Sequence, residues 1–148
     1  MAAKSTKINS AASPYILEEQ VGFILRQVNQ RHAAIFANRM GEDITPTRWA
    51  VLAKLYEVGP ASQNHLGRMT AMDVATVKGV VDRLVQRGLI CTASDDSDAR
   101  LRLIGLSDLG LSLVESRLAG AKAITEETLA PLNALERETL LALLSKIK

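Results

Sequence analysis

A mainly α-helical fold carrying one small β-hairpin is what this sequence predicts, on three observations. The 148 residues are 47% hydrophobic but only 3% aromatic, and a Leu- and Ala-rich chain with so few rings favours helices over a β-sandwich. Helix-start signals, a capping residue followed by proline or by an apolar stripe of helical period, recur along the chain. Near Leu89 the period shortens, and two partly alternating apolar runs flank a polar tip, the pattern of a hairpin.

The elements follow in order. Residues 1–12 hold two lysines and no apolar run, so they read as a flexible tail and neither a signal peptide nor a membrane anchor. Ser13-Pro14 supplies a cap and a proline at the first helical position. Ile16, Leu17, Val21, Ile24, Leu25, Val28, Ile35 and Phe36 then recur along a long helix ending near Met40-Gly41. Thr45-Pro46 repeats the signal for a second helix with Trp49, Val51, Leu52 and Leu55, stopped at Gly59-Pro60. Ser62 caps a short third helix, QNHLGRMT, with Leu66 and Met69 inward. After a turn at 70–72, Asp73 caps a fourth, whose Val77, Val81 and Leu84 form one stripe and which Gly88 closes. Two such helices joined by so tight a turn suggest a helix-turn-helix.

LICTAS and LRLIGL make the hairpin around the tip DDSDAR. Ser107 begins a fifth helix running to about Thr128, with Leu109, Leu113, Val114 and Leu118 on a shared side, and Pro131 breaks it. Asn133 with Glu136 three residues on reads as a capping box for a last helix holding Leu140, Leu143, Leu144 and Ile147. The whole is a winged helix-turn-helix over 45–106, preceded by an N-terminal helix at 13–44 and followed by two C-terminal helices at 107–148. These flanking helices are more apolar than so small a module needs. A second copy of the chain would cover them, making them dimerisation helices.

Several function classes are disfavoured. The chain has the size of one domain and needs no staple. A formal charge of +2 neither demands nor excludes nucleic acid, because placement matters more than the sum. The lone Cys91 cannot form an internal disulfide, and its apolar strand without neighbouring cations predicts an inert buried thiol in a reducing cytoplasm. There is no zinc-ligand spacing, no glycine-rich phosphate loop, no nucleophile with a recognisable base, and no run approaching the roughly 18 apolar residues of a membrane span. Neither enzyme nor metal nor cofactor is expected.

If the Val77 stripe faces the core, Thr76, Lys78, Gly79 and Arg83 lie on or beside the opposite face of the second helix of the motif, the one that enters the DNA major groove. Thr76 suits a base edge or phosphate, Lys78 a guanine or phosphate, and Arg83 a phosphate. Gly79, unfavourable inside a helix by roughly 1 kcal/mol, hints that another backbone comes close. Ser62, Gln63 and Asn64 open the preceding helix, where free amides suit a phosphate. The plainer readings are a solvated helix face and simple capping.

The stretches DITPTRWAVLAKL, LGRMTAMDVATVKGVVDRLVQRGLI, DDSDARLRLIGLS and DLG together resemble the MarR family of bacterial transcription regulators over about residues 15–146. The resemblance implies a homodimer on palindromic double-stranded DNA, with Arg100 in the minor groove and Asp98 holding it in position; Arg102, on the same wing, is a further candidate DNA contact. The sequence departs from the family at Lys78-Gly79, where a small hydroxyl residue followed by arginine is commoner. QNHLGRMTAMDVATVKGVVDRL is also similar to members that control nicotinate catabolism. Many members bind a small aromatic carboxylate between the winged helix and the dimerisation helices, and the candidate lining here is His32, Phe36, Arg48 and Trp49. The expected function is a repressor released from a pseudo-palindromic operator by such an acid. The alternatives are a cysteine-based redox regulator and a winged-helix small-molecule-binding protein acting through protein contacts.

Overall fold

The computed structural model describes residues 14–148, together with Ile8 and Ala12. Helices α1 (Val21–Met40), α2 (Pro46–Val58), α3 (Gln63–Met69) and α4 (Val74–Gln86) come first. Strands β1 (Ile90–Ser94) and β2 (Arg102–Leu106) follow, then helices α5 (Asp108–Thr128) and α6 (Ala134–Ile147). The fold is therefore mainly α with one two-stranded antiparallel hairpin, as the sequence predicts.

Most helix starts are set by side chains acting within three residues. Thr45, Ser62, Asp73 and Ser107 each accept the backbone N–H of the residue three positions on. Asn133 and Glu136 form a reciprocal capping box. These bonds satisfy amides that a helix leaves without internal partners.

The first helix departs from expectation. It begins at Val21 rather than Pro14, and Ser13, the predicted cap, lies outside the described residues. The Gln20 backbone N–H donates to the Leu17 carbonyl and its side-chain amide to the Ile16 carbonyl, 2.9 Å away. Those carbonyls are the acceptors that an α-helix through this segment would need, so Leu17–Glu19 closes as a 3₁₀ turn and Gln20 stays extended. Tyr15, Ile16 and Leu17 remain exposed, so no packing favours the longer helix.

Met40, Ile44, Val51, Leu52, Leu66, Val77, Leu84 and Val114 are fully buried and join α1, α2, α3, α4 and α5 in one core. Between α3 and α4 the chain turns through Ala71 in the left-handed region (φ 54°), and the Met72 N–H donates back to the Gly67 carbonyl. The hairpin pairs Ile90 with Leu106 and Ser94 with Arg102. It is tied to the start of α3 by two backbone bonds between Ala61 and Ile104.

Two burial expectations need correction. Cys91 is exposed, not buried. The hairpin has only two strands and covers one face, so Ile90 turns inward and Cys91 outward. Leu109 is exposed as well, because the inward place in the first turn of α5 is taken by Gly110, which packs against the Leu89 backbone. Leu113, Val114 and Leu118 of the same predicted stripe do pack on the core.

Candidate nucleic-acid interface and the cleft beside α1

The recognition helix of the motif is α4. Asp73 holds its first turn by accepting the Thr76 N–H at 2.7 Å. That backbone bond, and next the Thr76 hydroxyl, keep the Asp73 carboxyl below its ordinary value of 3.8. A depressed folded pKa means stability that is present above 3.8 and lost as pH falls through the folded value. Asp73→Ala is therefore expected to lower the thermal midpoint at pH 7, and the gap to the parent should narrow at pH 3. Melts at the two pH values check this, and an equal gap at both would remove the charge from the cap's contribution.

With Val77, Val80, Val81 and Leu84 buried, the outward face of α4 carries Thr76, Lys78 and Arg83, all exposed. Lys78 is engaged: its Nζ lies 2.7 Å from Asp82 Oδ2, one turn on. Asp82 thus offsets part of the cationic face in the free protein, a role the i,i+4 spacing in the sequence could have revealed. Gly79 is half-buried, and a Cβ built there meets no atom of the chain within 4 Å. Among the described residues no backbone outside α4 approaches it, so the expected close neighbour is not found there.

Ser62 caps α3, accepting the His65 N–H at 3.3 Å, while Asn64 is exposed beside it. Gln63 and Arg102 meet across a cleft of about 450 Å³ between the start of α3, the second half of α4 and the hairpin. Asp82, Gln86 and Thr92 share that lining, and sequence reasoning had not singled them out. Arg102 donates to the Thr92 hydroxyl at 3.0 Å, which aims its guanidinium across the hairpin.

The wing tip is built from two aspartate-centred turns. Asp95 Oδ1 accepts both the backbone N–H and the hydroxyl of Ser97, each at 2.9 Å. These bonds, the backbone one first, hold the Asp95 carboxyl below its ordinary value. Asp98 Oδ1 accepts the Arg100 backbone N–H at 3.0 Å, and the Asp98 carbonyl accepts the Leu101 N–H. Asp98 therefore grips the Arg100 main chain. Among the described residues the Arg100 guanidinium has no ion-pair or hydrogen-bond partner, and it stands exposed at the tip.

The four candidate ligand residues are not all walls of the cleft that His32 lines. His32 lines a largely apolar cleft of about 350 Å³ between α1, α5 and α6, with Leu25, Val28, Asn29, Thr125 and Leu144 among its walls. Its Nδ1 lies 2.9 Å from the Thr128 hydroxyl. Phe36 is buried in the core and Trp49 packs against it. Arg48 is half-buried with its Nη1 on the Asp43 carbonyl. The sequence missed Thr125, Thr128 and Asn29, polar positions on helices whose meeting depends on tertiary packing.

Among the described residues, no group of three His, Cys, Asp or Glu could hold a metal ion. No helix among them is long and apolar enough to cross a membrane.

Comparison with known proteins places this geometry. The sequence profile of the MarR family matches residues 44–101. The HTH-type transcriptional repressor NicR of Pseudomonas putida is 37% identical, over 98% of this chain and 94% of NicR. A probable transcriptional regulator from Pseudomonas aeruginosa superposes with a TM-score of 0.86 at 53% identity, covering 90% of this chain and 100% of that one. BpsR of Bordetella bronchiseptica, whose DNA binding is regulated by 6-hydroxynicotinic acid, superposes with a TM-score of 0.85 at 38% identity, covering 91% and 97%.

Proposed function

This chain belongs to the MarR family of transcriptional regulators, and from that membership we propose that it is a homodimeric repressor released from a pseudo-palindromic operator by a small aromatic acid. In this reading residues 45–106 bind DNA and the helices on either side dimerise. The observation that carries it is the pairing of α4, with Thr76, Lys78 and Arg83 outward, and a wing that presents an Arg100 unpartnered among the described residues. Helix and wing together match the groove-and-backbone contacts of a winged helix. Ser62, Gln63 and Asn64 add phosphate contacts from α3, and Arg102 adds one from the cleft. The open space over Gly79 accepts a close approach from outside the chain.

Dimerisation is supported by apolar surface left uncovered in one protomer. Val21, Ile24, Leu25 and Val28 of α1 and Leu135, Leu141, Leu143 and Ile147 of α6 are all exposed. So large an apolar surface marks an interaction face. The acid is supported by BpsR and by the His32 cleft, where one titratable ring stands among leucines beside Thr128. The His32 ring supplies a hydrogen-bonding nitrogen for a polar group of the acid, and the apolar wall takes a ring. Phe36, Arg48 and Trp49 do not line this cleft.

The test is titration of a labelled fragment from the gene's own upstream region, at several salt concentrations, with and without a panel of aromatic acids that includes nicotinate and its hydroxylated forms. Binding preferred over random DNA, a steep salt dependence and release by one class of acid are expected. Equal affinity for random DNA sinks the DNA reading. Binding that no acid in the panel changes sinks the effector.

The exposure of Cys91 favours a second reading, in which a thiol on the wing strand responds to oxidant. Cys91→Ser separates the two, since loss of a peroxide response with the acid response intact would assign redox control to that residue.

A further inference from the structure

We propose that Asp43, in the loop between α1 and α2, sets the separation of the two recognition helices and hence the half-site spacing the dimer accepts; this rests on the dimeric, DNA-binding reading above. The main packing of α1 is against α5, whereas α4 packs against α2, α3 and β1. The helix that dimerises and the helix that reads DNA share one core but have their main packing on different elements, and a side-chain tie links the end of α4 to the loop that leaves α1. Arg87, which ends α4, donates through Nη1 to the Asp43 carbonyl at 2.7 Å and through Nη2 to Asp43 Oδ2 at 3.2 Å.

The same Asp43 carbonyl accepts Nη1 of Arg48, from the first turn of α2, at 3.1 Å. A third guanidinium, Arg117 of α5, donates to the adjoining Met40 carbonyl at 2.8 Å. Three cations, from α2, α5 and the end of α4, therefore close on the junction of α1 with this loop, where Asp43 supplies the ion-paired carboxylate. The loop leaves α1 through Gly41 at φ 81°, a conformation that favours glycine.

The Asp43 and Arg87 side chains are 46% and 35% exposed, so the pair contributes little to overall stability and its loss changes an angle more than the fold. The lever is long. Thirteen residues of α4 span roughly 20 Å from this tie to the DNA-facing end. A tilt of about 10° at Arg87 displaces that end by about 3.5 Å, close to one base-pair step.

The test places one spin label per protomer at Ala75→Cys in a Cys91→Ser background and measures the distance between recognition helices in the DNA-free protein. A narrow distribution is expected for the parent. Asp43→Asn and Arg87→Gln should each broaden it or move its mean by about 3 Å, with little change in thermal midpoint. In parallel, the upstream fragment is compared with derivatives carrying one base pair more or fewer between half-sites. The parent should discriminate among the three, and Asp43→Asn should discriminate about two- to fivefold less. Parent-like distances and spacing ratios in both variants overturn the role of Asp43 and leave the DNA-binding dimer standing. Absence of any dipolar signal, or a parent protein with no preference for the fragment, overturns the dimer or DNA reading itself, and the inference with it.

Discussion

Replacing Gly110 with alanine is expected to destabilise the protein by about 3 kcal/mol and to lower its thermal midpoint by roughly 6–12 °C. A Cβ on Gly110 overlaps the Leu89 carbonyl oxygen outright and comes within 3.4 Å of Leu106 Cδ2. The carbonyl cannot turn away, because it accepts the Ser107 N–H at 3.1 Å, while the Ser107 hydroxyl is bonded to the Gly88 carbonyl. Gly110 is thus where α5 docks on the segment linking α4 to the hairpin. Forcing the two apart moves the wing and the C-terminal helices together. The control is Gly79→Ala, where a Cβ meets nothing outside the helix backbone among the described residues and the substitution should instead stabilise α4 by up to about 1 kcal/mol. Melts of both variants at one fixed protein concentration, which holds constant any concentration dependence that the proposed dimer brings to stability, decide the matter. A Gly110→Ala midpoint equal to the parent's would show that the contact relaxes at no cost.

The contrast between these two glycines shows what was legible in the sequence. Gly79 stood out because it interrupts an apolar-periodic helix, and Gly110 only as part of the DLG match, yet Gly110 makes the tight contact. Helix starts at Thr45, Ser62, Asp73, Ser107 and Asn133 were readable because a cap acts over three residues of the same segment. The start of α1 was not, since the side-chain bond from Gln20 to Ile16 overrode the proline signal upstream. Cys91 and Leu109 are exposed against expectation because an apolar pattern says which residues share a face and not whether anything covers it. Of the candidate site, the wing and the face of α4 lie within continuous stretches and could be placed in advance. The tie between Asp43 and Arg87, 44 residues apart, and the meeting of His32 with Thr128, 96 apart, exist only after packing.

On the proposed function, Arg100→Ala is expected to weaken operator binding at least tenfold and to reduce the slope of log affinity against log salt, since each protomer would lose one groove contact. The neighbouring aspartate sharpens this expectation. As bulk charge, Asp98 repels phosphate, and its removal would tighten binding to any DNA. As a turn residue it accepts the Arg100 N–H at 3.0 Å and fixes the main chain from which that side chain projects. It does not pair with the guanidinium, so Arg100 stays free to reach a groove. Asp98→Ala should therefore weaken specific binding, by about three- to tenfold if the arginine loses much of a contact worth 1–3 kcal/mol. Asp98→Asn separates geometry from charge, because its carbonyl oxygen still accepts the same N–H while the negative charge is gone. Parent-like or tighter binding by Asp98→Asn beside weak binding by Asp98→Ala places the residue's contribution in the turn. Both variants binding more tightly than the parent, at equal salt, would mean that Asp98 acts on DNA only by repulsion and that the wing arginine needs no support from it.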